Sequence, residues 1–217
     1  IPGVIPLLGL VILVLAFFAP EFVTVSNAYN IVCQGAALAI ASFGMTLAIL
    51  MGGIDLSIGS VIGLSGVVAG ILLRGGLVTS FQVAGGVVAG GLCGVINGFL
   101  ISYVGLPPFV ATFGMMGMAH GLALVLTEGR VIWGFSPSFR KLADGSLLSA
   151  PIPLWVTVGL CIALYFMLRK TSYGVSLYAI GGNEDAAALS GVPVKRNKLI
   201  AYSLSGILAG IAGILMA

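Results

Sequence analysis

Long apolar runs separated by short polar breaks make up nearly the whole chain. Each run is close to the roughly 17–25 residues that a helix needs to cross the hydrocarbon of a bilayer. The runs show no alternation of apolar and polar positions, so the pattern predicts an all-α polytopic transmembrane bundle with about seven spans. The predicted spans are 3–19, 29–51, 56–73, 77–103, 109–127, 151–168 and 199–217.

Composition agrees with a membrane location. The 217 residues are 59% hydrophobic and only 7% charged, with a mean hydropathy of +1.21. Soluble domains are usually about one quarter charged, so membrane lipid is the expected surrounding of this chain. The net charge of +3 is carried by loop residues rather than by a basic stripe interleaved with aromatic residues, which argues against a nucleic-acid partner.

The basic residues also predict an orientation. Five of the nine Lys and Arg residues lie between the last two apolar runs: Arg169, Lys170, Lys195, Arg196 and Lys198. Because cytoplasmic loops carry an excess of such residues, we expect 169–198 to be a cytoplasmic loop. Counting spans backwards then places the N-terminus inside and the 128–150 loop outside, provided that 51–55 is a turn between two spans rather than a break within one.

Regularly spaced glycines predict where helices pack. Gly86, Gly90, Gly94 and Gly98 recur every four residues and therefore share one face of a helix. Small residues in that pattern allow two backbones to approach closely in a membrane, so we assign these four glycines to helix packing.

The stretch "GGIDLSIGS", residues 52–60, places a carboxylate between two apolar runs. An ionised Asp55 in the hydrocarbon costs about 2.5 kcal/mol or more unless its surroundings compensate. Gly52 and Gly53 favour the end of the preceding helix, and Asp55 is then able to accept a hydrogen bond from the backbone N–H of Ser57 or Ile58 as a helix cap. A structural cap and a direct role in a substrate pathway both remain open, and broken helices at depth are tolerated chiefly where they line a cavity.

The loop 169–198 contains the signals of a short helix at 184–190. Asn183 is a good N-cap, Glu184 and Asp185 follow in the first turn, and Gly191 with Pro193 supplies the stop. A helix of about two turns does not persist alone in water, so the end of the bundle or a partner must hold it.

Two motifs give the chain a specific resemblance. "GGIDLSIGS" with the following "LSG", and "YGVSLYAIGGNEDAAALSGV" with the following "KRNKLIAYSLSGILAGIAGIL", resemble the permease subunits of bacterial ATP-binding cassette importers for ribose and related monosaccharides. The resemblance covers most of the chain from about residue 29 onward.

This resemblance implies an inner-membrane, multi-pass permease that moves a monosaccharide by alternating access. Its partners would be a second permease subunit, identical or different, a cytoplasmic ATPase and a periplasmic sugar-binding protein. ATP and Mg²⁺ would bind on the ATPase, and this chain would bind no cofactor or metal. Residues 1–217 would form a single transmembrane permease domain, truncated at its C-terminus, since the full-length permease is expected to have roughly ten helices that each cross the bilayer.

The resemblance also suggests site residues. The segment matching the family's coupling helix would dock on the ATPase through Gly181, Gly182, Asn183, Glu184, Asp185, Ala186, Ala187, Leu189 and Gly191. The translocation pathway is assigned to the polar and aromatic residues of the spans: Asp55, Ser57, Asn97, Thr112, Phe113 and His120.

Two other classes of function remain as alternatives. The sequence has no G-x-x-x-x-G-K-[ST] motif, so we expect no ATP hydrolysis by this chain, and its energy would come from a partner or from an ion gradient as in a secondary transporter. Asp55 and His120 make too short a relay for a convincing proton-coupled carrier. A more remote alternative is an intramembrane serine protease, in which Ser65 of Gly63-Leu64-Ser65-Gly66 would pair with His120.

Overall fold

The computed structural model describes residues 4–217, and of Pro20 only the backbone. These residues are largely helical, which confirms the predicted bundle. The ten α-helices of the described part are α1 Val4–Phe18, α2 Val25–Leu50, α3 Ile58–Arg74, α4 Thr79–Phe99, α5 Pro108–Thr127, α6 Pro137–Asp144, α7 Ile152–Lys170, α8 Ser172–Gly182, α9 Glu184–Leu189 and α10 Val194–Met216.

Seven of these helices coincide with the predicted spans. Five of them are long and apolar enough to cross a membrane: α2, α4, α5, α7 and α10. The span of α4 includes the π-helical turn Leu100–Val104, which continues this helix. Helices α1 and α3 are shorter, with 15 and 17 residues. Residue 3, the first residue of the first predicted span, lies outside the described residues.

Two helices and a pair of short strands were not predicted from the sequence. Helix α6 and a two-residue antiparallel strand pair, β1 Ser146–Leu147 with β2 Ala150–Pro151, lie within the 128–150 loop. Helix α8 lies in the 169–198 loop directly after α7, and Thr171 caps it by accepting a hydrogen bond from the backbone N–H of Gly174.

Helix α10 is the centre of the bundle and packs most extensively on α4, followed by α2 and α3. Its contact with α4 is a backbone contact at glycines. A Cβ atom at Gly90 would overlap the carbonyl oxygen of Gly206, and one at Gly94 would overlap that of Tyr202. Gly86 and Gly98 leave similarly little space, facing the carbonyl oxygens of Ser65 on α3 and Leu199 on α10. The absence of side chains on this face is what allows α4 to lie so close to its neighbours.

The chain reverses direction between α2 and α3. Gly44 of α2 lies against Ser205, and Gln34 lines the same cavity as Ala217, so α2 runs antiparallel to α10. Ile62 of α3 instead lies against Gly213, and Asp55 reaches Ser205, so α3 runs parallel to α10. Residues 51–57 therefore form a turn at which the chain reverses direction, rather than a break within one continuous helix.

Candidate functional site

The turn between α2 and α3 is the most polar part of the bundle interior. Helix α2 ends at Leu50, and Gly52 adopts a left-handed conformation with φ +75° that directs the chain back towards α10. Gly53 follows in contact with the Tyr202 hydroxyl, where a Cβ atom would overlap that group. Only residues without a side chain satisfy both requirements without strain, which explains the glycine pair.

Asp55 lies in this turn and is only 3% exposed. Its Oδ1 atom accepts hydrogen bonds from the Ser57 backbone N–H at 3.1 Å and from the Ser57 hydroxyl at 2.6 Å. Its Oδ2 atom accepts a hydrogen bond of 3.0 Å from the Ser205 hydroxyl of α10. Among residues 4–217, the ion pairs with N–O distances up to 4.0 Å do not include Asp55, so hydrogen bonds replace a countercharge.

The predicted bond from Asp55 to the Ser57 N–H is therefore present, but the cap assignment needs correction. Ser57, not Asp55, occupies the N-cap position of α3, with helical backbone angles. Asp55 lies two residues earlier and closes a local side-chain turn onto Ser57, a geometry that Asp adopts readily.

Two further helices contribute polar groups to the same turn. The Asn97 side-chain amide of α4 donates a hydrogen bond of 2.9 Å to the Ser57 hydroxyl. The Thr112 hydroxyl of α5 lies 3.2 Å from the carbonyl oxygen of Ile54 and 2.8 Å from that of Pro108. Asp55, Ser57, Asn97, Thr112 and Ser205 form what we call the turn cluster, which joins the turn to three helices.

Sequence reasoning found four members of this cluster and missed Ser205. The "LSG" repeat around Ser65 and Ser205 marked small residues suited to packing, and nothing in it indicated which of them faces Asp55. The helix to which a span residue belongs is readable from sequence, whereas its partner across the bundle is set by tertiary packing.

Phe113 and His120 lie elsewhere. Both are exposed on α5, and Phe113 stacks on Phe109 with ring centroids 6.0 Å apart. His120 lines a cavity of about 460 Å³ between α3, α5 and the chain following α5. The residues predicted for the pathway therefore separate into a buried cluster and an exposed face of α5.

The arrangement of Ser65 and His120 bears on the protease alternative. The Ser65 hydroxyl is buried without a hydrogen-bond partner among the described residues, whereas His120 is exposed. A serine nucleophile needs a base within hydrogen-bonding reach, and the described geometry does not provide one.

The predicted short helix is present as α9, Glu184–Leu189. The Asn183 side chain accepts a hydrogen bond of 2.9 Å from the Ala186 N–H, and Gly191 ends the segment with φ +83°. Glu184 forms an ion pair with Lys198 on α10, and Ala187 is buried, so α9 is fixed to the bundle on one side. On the other side Leu189 is 90% exposed.

The described residues contain no group of three or more His, Cys, Asp or Glu side chains that could hold a metal ion.

Comparison with known proteins identifies the family to which this chain belongs. A family model described as "Branched-chain amino acid transport system / permease component" matches residues 27–217. The chain belongs to this permease family. It is accordingly a multi-pass membrane protein, and the matched region includes the turn cluster and α8–α9 alike.

Among curated proteins, similar members of the permease family are named for sugars. The D-allose transport system permease protein AlsC of Escherichia coli K12 is 34% identical over 98% of this chain and 66% of its own length. The ribose import permease protein RbsC of the same strain is 37% identical over 94% of this chain and 65% of its own length. The L-arabinose ABC transporter permease protein AraH of Azospirillum brasilense is 33% identical over 96% and 63%.

The chain thus spans about two thirds of the length of these relatives, at 66% and 65% for the first two. No solved structure matches it.

Proposed function

We propose that the chain is the permease subunit of an ATP-binding cassette importer that moves a monosaccharide across the bacterial inner membrane by alternating access. One observation carries the proposal. Relatives named for three different sugars, ribose, D-allose and L-arabinose, are each at least 33% identical to it over 94% or more of its residues.

The partners follow from this function. A second permease subunit would complete the pathway, a cytoplasmic ATPase would bind ATP and Mg²⁺ and hydrolyse the nucleotide, and a periplasmic binding protein would deliver the sugar. This chain would then not be an enzyme and would bind no cofactor. Residues 1–217 would act as one permease domain.

The orientation is proposed from the basic residues and from the antiparallel arrangement of α2 and α3. The chain reverses direction at 51–57, which supports counting α2 and α3 as two crossings. With a cytoplasmic 169–198 loop, the N-terminus would then lie inside and the 128–150 loop outside.

The ATPase would dock on α8–α9. An exposed apolar surface outside the membrane favours a protein contact, and Val175, Tyr178 and Leu189 provide one, with exposures of 67%, 48% and 90%. Glu184 and Asp185 would add acidic groups to this docking surface, whereas Asn183 and the glycines Gly181, Gly182 and Gly191 would shape the segment.

The pathway would involve the face of α5 that carries Phe113 and His120, together with the turn cluster beside it. Aromatic and polar groups suit a sugar, which presents apolar C–H faces and hydroxyl groups. Sugar specificity would rest largely with the binding protein, so the residues of this chain need to guide the sugar rather than hold it tightly.

The decisive experiment is uptake in proteoliposomes. The chain in its full-length form is co-purified with its ATPase, reconstituted, and supplied with binding protein and radiolabelled ribose, allose or arabinose. We expect uptake to require ATP. The ATP must be on the side of the vesicle membrane that carries the 169–198 loop, because the ATPase would bind there. Uptake that persists without the ATPase and follows an ion gradient would instead establish a secondary transporter.

A further inference from the structure

Helix α8 ends directly against the end of α2. A Cβ atom at Gly181 would overlap the carbonyl oxygen of Leu50 and would lie 3.5 Å from the Cα of Met51. Leu177 and Ile180, on the preceding turn of α8, are 0% and 2% exposed. The contact is therefore between two backbones without a flexible side chain between them, at a place where Gly181 itself is exposed and Leu50 is half-buried.

This contact lies immediately before the turn cluster. Two residues after Leu50, Gly52 adopts its left-handed conformation, and three residues later the chain reaches Asp55. On the other side of the contact, Asn183 begins α9. Gly181 thus connects the segment proposed to meet the ATPase with the turn that holds Asp55.

A second link joins the same two regions through α10. Glu184 of α9 pairs with Lys198 near the start of α10, and Ser205 further along α10 bonds to Asp55. Asp55 is therefore held by Ser57 at the start of α3 and by Ser205 of α10. Helices α8 and α9 contact α10, and α8 also contacts α2, which leads into the turn that carries Asp55.

Physical reasons favour transmission through the Gly181 contact. Two backbones in direct contact leave no space to close, so a displacement of α8 towards α2 moves the end of α2 with it. A side chain at this position would absorb part of the movement by changing rotamer, or would separate the two helices. Glycine at Gly52 also allows the turn to change its backbone angles, as hinge residues do.

We propose that Gly181 is a positioning residue for transport, which passes the displacement of α8–α9 to the turn cluster and so changes the hydrogen bonds of Asp55 during the cycle. This inference rests on the proposed function, because it requires an ATPase that moves α8–α9.

The test compares Gly181→Ala with Gly159→Ala in the full-length permease, reconstituted with its ATPase and binding protein. Gly159 lies on α7 and has open space where its Cβ would be, so the control adds the same methyl group to a helix without crowding. The quantity measured is the number of sugar molecules transported per ATP hydrolysed. Residues that carry coupling between sites change it by about 2- to 30-fold, and we expect a fall of that size in Gly181→Ala alone.

The ratio separates positioning from a purely structural role. Loss of folded protein would lower transport and hydrolysis together and leave the ratio unchanged, and an unchanged ratio in assembled Gly181→Ala would overturn the inference. If the unsubstituted complex itself shows no ATP-dependent uptake, it is the proposed function that fails.

A second measurement keeps Gly181 intact, in case its variant does not assemble. A spin label is placed at Ile54→Cys, in the turn, or at Leu38→Cys, on α2, after the three native cysteines are replaced by alanine. Ile54 and Leu38 are 50% and 61% exposed, so both sites accept the label. We expect the spectrum of the label at 54, but not at 38, to change when ATP is added to the complex. An unresponsive label at 54 would contradict the inference.

Discussion

Ser205 of α10 donates a hydrogen bond to Oδ2 of Asp55, although 150 residues separate the two in the chain. Ser205 lies eleven residues after the start of α10, which corresponds to a depth of about 16 Å along the helix. The carboxylate is therefore held well inside the bundle by hydroxyl and amide donors. These hydrogen bonds explain how the apolar interior of the bundle accommodates the Asp55 carboxylate.

Removing the Ser205 hydroxyl should weaken the bundle, because Ser205 is the only donor to Oδ2 among the described residues. We expect Ser205→Ala to lower the free energy of unfolding by about 0.6–2 kcal/mol, the range for hydrogen bonds between membrane helices. Ser203→Ala is the matched control, since the Ser203 hydroxyl bonds only to the Leu199 carbonyl of its own helix. Thermal unfolding in detergent measures both, and equal midpoints would argue against a role for the interhelical bond.

Substitutions of Asp55 separate its charge from its hydrogen bonds. Asp55→Asn keeps the shape and one carbonyl acceptor, whereas Asp55→Leu leaves the Ser57 N–H and two hydroxyl groups without their acceptor. An unsatisfied buried donor costs about 1–3 kcal/mol, so we expect a clear loss of stability in Asp55→Leu and a smaller one in Asp55→Asn.

Sugar uptake by the same two Asp55 variants tests the pathway. Slow uptake by stable Asp55→Asn would mean that the charge itself takes part in transport. Normal expression and uptake by both variants would show that neither the charge nor the hydrogen bonds of Asp55 are needed.

The glycine contact between α4 and α10 predicts a position-specific effect. Gly94→Ala introduces a methyl group that overlaps the Tyr202 carbonyl oxygen, and overpacking of this kind costs about 1–3 kcal/mol. Gly117→Ala on α5 adds the same group to open space and should cause no loss. The comparison is made by thermal unfolding, and a similar destabilisation in both variants would contradict a packing effect specific to Gly94.

Charge reversal at Glu184 and Asp185 tests the docking surface. The double variant Glu184→Lys, Asp185→Lys places like charges beside Lys198 and reverses the charge of the exposed first turn of α9. We expect the ATPase to be lost on purification, and sugar uptake with it, while the membrane helices stay folded. Glu128→Lys is the control, since it breaks an exposed ion pair with Arg130 on another loop. Normal uptake by the double variant would exclude the proposed surface.

Local chemistry explains which features could be predicted from the sequence. Apolar run length located the seven apolar helices, because bilayer thickness sets the length of a span. Asn183 and Gly191 located α9, because capping depends on residues only a few positions apart. Gly52 and Gly53 indicated the end of α2, because paired glycines disfavour continuation of a helix and glycine is common where helices end.

The tertiary structure decided which groups meet. Ser205 and Ser65 have similar sequence surroundings, yet the Ser205 hydroxyl bonds to Asp55 and the Ser65 hydroxyl has no hydrogen-bond partner within residues 4–217. Helix α8 begins at the Thr171 cap, but its position against the bundle depends on its buried Leu177 and Ile180. The pattern of apolar residues assigns a residue to a helix but does not identify its neighbours in other helices. Those neighbours depend on the distance between α4 and α10, which the glycines set, and on the direction of the chain after Gly52. Those distances are set by packing over the whole bundle, so the pairing of Asp55 with Ser205 and of Gly181 with Leu50 could be seen only in the folded protein.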